Sequence, residues 1–63
     1  MAIKKINEEY TPHVGGYTEE FICDTEKDVA NLPTALTGSM AMVASDGMPI
    51  YMVNASGEWV KVC

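Results

Sequence analysis

A mainly β fold of small α+β type is predicted for this 63-residue chain: an antiparallel β-meander with one short helix at about residues 25–31, preceded by an extended N-terminal arm. Three observations predict it. The last third alternates short apolar runs with turn residues, and residues 17–23 are dense in aromatic and β-branched side chains. Between them, a capping pattern and a proline bracket a few helical residues.

Residues 1–16 read as an arm, set apart from a meander domain over 17–63. Pro12 fixes its own φ and restricts Thr11, and Gly15-Gly16 can take positive φ, so a regular element should not continue through this stretch. Ile3, Ile6 and Tyr10 are its candidate docking contacts. Tyr17 to Cys23 favours a strand with apolar ends and a charged middle, Glu19-Glu20. Thr25 and Asp28 form an S/T-x-x-D/E start for the helix, and Leu32, placed before Pro33, is pushed to extended geometry and ends it. Val29 and Leu32 should pin that turn to the sheet.

Ser39 to Ser45, Pro49 to Asn54 and Glu58 to Val62 then read as three strands. Asp46-Gly47 makes the first turn, and Asn54 to Gly57 makes the second. Alternation places Ile50 and Met52 on one face with Tyr51 and Val53 on the other, and sets Trp59 and Lys61 against Val60 and Val62. Both faces are partly apolar.

Size sharpens the consequence. Burial of roughly 6,000 Å², a little over half of it apolar, is worth on the order of 90 kcal/mol, and ordering the chain costs about 95 kcal/mol. A lone subunit is marginal, so disulfides, a metal or partner subunits are the stabilisers to seek. Cys23 and Cys63 lack the close spacing of a metal knuckle or a CxxC pair, and the N-terminus carries no secretory segment, so two reduced thiols are expected. His13 stands without a second histidine and reads as solvent-exposed. A metal- or redox-responsive module built on His13, Cys23 and Cys63 is the weakest reading. Asp24, Glu26 and Asp28 lack the glycine and distal glutamate of a calcium loop and are explained by the helix N-terminus they crowd. No metal and no cofactor is expected.

Nine Asp or Glu against four Lys and no Arg give a net charge of −5, which opposes binding to phosphate backbones; no nucleic-acid partner is expected. The carboxylates sit in local pairs and not in the long stripe a nucleic-acid mimic would carry. No apolar run approaches the ~20 residues that cross a membrane. Catalysis is not expected either, since there is no phosphate loop, no nucleophile elbow, and only one histidine, in the arm. Glu8-Glu9 and Glu19-Glu20 are adjacent in extended segments and so diverge to opposite faces.

What remains is apolar surface beyond what so short a chain can cover. Met40, Met42, Tyr51, Met52 and Trp59 are, with the arm residues, the candidate protein-interface positions. Either these face partners, or the helix and the loop 34–38 fold across the second face. Trp59 is the largest anchor available to core or interface.

Three segments carry a family resemblance: EFICDTEKDVANLP over 20–33, GSMAMV over 38–43 and IYMVNASGEWV over 50–60. In this order they resemble a group of small proteins encoded among the structural genes of tailed bacteriophages and prophages, similar to head-fibre, decoration or other virion-associated components. The resemblance does not extend over the arm. It implies a non-catalytic virion part, made in the bacterial host cytoplasm, whose partners are copies of itself in a homo-oligomer, a trimer being one candidate, and other capsid or virion proteins. The alternative is a small acidic inhibitor or adaptor that binds one host protein.

Overall fold

A computed structural model describes residues 2–45 and 47–62; Asp46, half of the expected Asp-Gly turn, and Cys63 lie outside the described residues. The chain is mainly β, with a five-stranded sheet and one short 3-10 helix. The strands are β1 (Ile3–Thr11), β2 (Gly16–Cys23), β3 (Met40–Val43), β4 (Ile50–Val53) and β5 (Trp59–Lys61), in spatial order β1-β2-β3-β4-β5, and the helix covers Glu26–Asn31.

The stretch expected to be a separate arm is extended, but over Ile3–Thr11 it is a strand of the same sheet, paired antiparallel with β2 along its whole length. The breakers act as a hairpin turn: the N–H groups of Val14 and Gly15 both donate to the Thr11 carbonyl at 3.1 Å, and Gly15 takes φ 75°. Pairing satisfies β2's backbone on that side, which a free arm would leave to water. The register skips between Lys5 and Asn7, so Ile6 is the extra residue of a β-bulge.

The sheet is mixed, not antiparallel throughout. β3–β4 and β4–β5 are antiparallel, forming the expected C-terminal meander, but β2 and β3 are parallel. The segment between them must cross over one face to return to the same end of the sheet, and it carries the helix as it does so. The Asp28 carboxylate accepts the Thr25 N–H (3.0 Å) and hydroxyl (3.2 Å) at the helix start, and Leu32 leaves it extended at ψ 143°. The β4–β5 turn is built on Asn54, whose Oδ1 accepts the N–H groups of Ser56 (3.0 Å) and Glu58 (2.9 Å), while Gly57 supplies φ 82°.

Alternation along the paired strands gives the sheet two unlike faces. Phe21, Cys23, Ala41, Val43 and Val53 point to one and are all buried. Ile3, Val29, Leu32, Tyr51 and Trp59 pack against that core. Trp59 meets Phe21 edge-on, with centroids 6.0 Å apart, and its Nε1–H donates to the Pro33 carbonyl at 3.2 Å, so its ring holds the crossover down. The one buried polar side chain among the described residues, Ser39, accepts the Glu19 N–H at 3.0 Å.

Phe21→Ala is therefore expected to cost about 3–5 kcal/mol and leave little folded protein, while Met52→Ala on the other face stays within about 1 kcal/mol. Urea unfolding followed by far-UV circular dichroism checks this, and equal losses would contradict the division of the faces.

Candidate protein interface

The second face is made by the alternate residues of the same strands. Register places Ile22, Met42 and Ile50 in one row, which Val62 extends through its N–H bond to the Ile50 carbonyl (2.8 Å). Glu20, Met40, Met52 and Val60 form the row beside it. Among the described residues no helix lies across these rows. Ile22, Met40, Met42 and Ile50 are half-buried, while Met52, Val60 and Val62 are 36%, 41% and 53% exposed. In plan, the seven apolar positions of the two rows, with Glu20 as the eighth, cover on the order of 200–250 Å², just under the ~300–600 Å² of the largest apolar patches on monomers, which are often functional.

The patch ends toward β1. Beyond Ile22 and Glu20 the rows continue into Lys4 and Asn7, and the next row holds Thr18 and Glu9. The loop 34–38 meets the hairpin half of β2 on this same side, in the rows beyond Glu20: Leu36 stands against Gly16, where a Cβ would lie 2.5 Å from Leu36 Cδ1, and Gly38 stands beside the Thr18 methyl. The result is an apolar surface with a charged border on one side.

The expected interface residues divide among three places. Met40, Met42 and Met52 lie together on the open face. Ile3, Tyr51 and Trp59 point to the covered face and pack against its core. Ile6 and Tyr10 are exposed on β1, where Tyr10 stacks edge-on against Tyr17 with centroids 5.4 Å apart at the hairpin end. Ile22, Ile50, Val60 and Val62 complete the open face, and the sequence reading did not single them out. Alternation already grouped Ile50 with Met52 and Val60 with Val62; the missing fact was which group the helix would leave uncovered.

The charged groups fasten the cover. Glu26 Oε2 accepts the Tyr51 hydroxyl at 2.8 Å and lies 3.3 Å from Lys61 Nζ, tying the helix to β4 and β5. The phenol and then the ammonium hold the Glu26 carboxyl below its ordinary range, and the same bond raises the Tyr51 phenol. Lys5 Nζ sits 3.3 Å from Glu19 and 3.5 Å from Glu8, which raises its ammonium. Glu26 and Asp28, read as helix-start carboxylates, are thus both engaged within the chain, and no group of His, Cys, Asp or Glu that could hold a metal occurs among the described residues. His13 is in the β1–β2 turn and Cys23 at the far end of β2, about 20–25 Å away at ~3.4 Å per residue, so they cannot share an ion. The described residues form no pocket, and no helix among them is long and apolar enough to cross a membrane.

No protein-family profile matches the chain, and no curated protein or solved structure is significantly similar to it.

Cys23 is a buried free thiol whose pKa is raised by burial, with Asp28 and Asp24 adding to the shift. In a Cys63→Ser protein, Cys23 is expected to react with an aromatic disulfide reagent no faster than the fold opens. Reaction in the folded state at the rate of a free thiol would contradict its placement.

Proposed function

We propose that this chain is a non-catalytic structural protein of a tailed-phage virion, a self-associating subunit that attaches to the capsid or another virion protein. The observation that carries the reading is the open apolar face of Met40, Met42, Met52 and their neighbours, surface that a subunit acting alone would leave in water. Methionine suits it to a docking surface because its flexible, polarisable side chain adapts to the contour it meets. The resemblance of residues 20–33, 38–43 and 50–60 to virion-associated proteins supports the virion as the place where that face is covered. The acidic balance, −5 overall, favours a partner with basic groups around an apolar contact.

Mass spectrometry of purified particles from the host that carries the gene tests this reading. The chain is expected at a fixed stoichiometry to the major capsid protein. A Met52→Lys/Val60→Lys variant, folded by circular dichroism, is expected to be lost from the particles because it buries two unpaired charges at the contact. Absence of the wild-type chain from particles would overturn the virion reading in favour of a small acidic inhibitor or adaptor acting on a host protein.

A further inference from the structure

Among the described residues no strand neighbours the outer side of β1, so nine residues end the sheet with a row of backbone donors and acceptors, against three residues at the β5 edge. Along β1 the charges run Lys4-Lys5, then Ile6-Asn7, then Glu8-Glu9: positive, neutral, negative. This order is complementary to itself when reversed.

Reversal works only if facing residues also share a face. In an unbulged strand, residues three or five apart point to opposite sides of the sheet. The bulge at Ile6 changes that. Lys5 stands opposite Phe21 and Glu8 opposite Glu19, so both lie on the covered side; Lys4 stands opposite Ile22 and Glu9 opposite Thr18, so both lie on the open side. Ile3, opposite Cys23, and Tyr10, opposite Tyr17, match in the same way.

We propose that two copies of this chain pair β1 to β1, antiparallel, about a two-fold axis through the bulge, so that Lys4 meets the partner's Glu9 and Lys5 meets the partner's Glu8. The two sheets join into one, with both open faces on the same side, because an axis perpendicular to a sheet keeps its faces. Charges and bulges on an edge strand also serve to prevent pairing; here the sign of the charge reverses across the bulge, so an antiparallel copy meets opposite charges and not like ones. The open face alone is small against the ~800 Å² per partner of a standard interface, so an edge contact supplies what it lacks for self-association and leaves it free for a second protein. Lys5 is already paired within its own chain, whereas Lys4 and Glu9 make no ion pair among the described residues and are the specific link between copies.

This inference rests on the self-association in the proposed function, and the experiment separates the two. Sedimentation of the full chain in low salt with reductant, over the micromolar range, is expected to show a monomer–dimer equilibrium. Lys4→Glu and Glu9→Lys are each expected to weaken it about tenfold, since symmetry replaces two attractive pairs by two repulsive ones. An equimolar mixture of the two variants is expected to dimerise like wild type, because every facing pair again holds one lysine and one glutamate, and so is the double variant. Circular dichroism shows that each variant folds. Single variants that dimerise like wild type, or a trimer, would overturn the edge pairing and leave the virion reading standing. A wild-type monomer throughout the range would overturn both the pairing and the self-association.

Discussion

A sheet has two faces, and this chain has material to cover one. The cover is six helical residues and the extended segment after them, held by Val29 and Leu32 packed against the core, by Trp59 under the Pro33 carbonyl and by Glu26 between Tyr51 and Lys61. Everything else follows from that shortage. Phe21, Cys23, Ala41 and Val43 become a core because the crossover lies on their side, and Met42, Ile50 and Val60 become surface because none of the described residues lies across theirs. The same residue types on the same strands have opposite roles, decided by which way a short connection runs.

The parts of the fold legible from sequence were those with local causes. Asn54 to Gly57 makes its turn with its own side chain and a glycine, Thr25 with Asp28 starts the helix, and Pro33 stops it, so each could be placed from a few adjacent residues. The C-terminal strands showed themselves through short apolar runs between such turns. β1 did not, because a long exposed edge strand has no buried face to impose alternation, and IKKINEEYT reads as easily for an arm as for a strand. The Pro12 to Gly16 breakers mark a hairpin only once β2 is there to pair with. The parallel β2–β3 neighbourhood is likewise invisible locally, being a choice between distant segments.

The candidate interface was legible in kind but not in membership. An excess of apolar side chains could be counted, and the two alternating sets in β4 and β5 could be written down, but the sequence does not record which set the helix meets. Trp59 and Tyr51 went inward with the helix, and Ile22, Ile50, Val60 and Val62 took their place beside the methionines. A sheet open on one face and unpaired along one charged edge presents two surfaces of different character: adaptable apolar area on the face, and main-chain groups with charges of both signs at the edge.

Residue-resolved oxidation of methionine by dilute peroxide tests the central claim most directly, because Met40, Met42 and Met52 lie on the face said to be open in the isolated subunit and covered in the particle. In dilute isolated protein, Met52 is expected to oxidise about as readily as Met48, which is exposed in the β3–β4 connection, and in purified particles all three face methionines are expected to be protected. A Met52 that resists oxidation in the dilute isolated protein, or one equally reactive in the particle, would contradict the account.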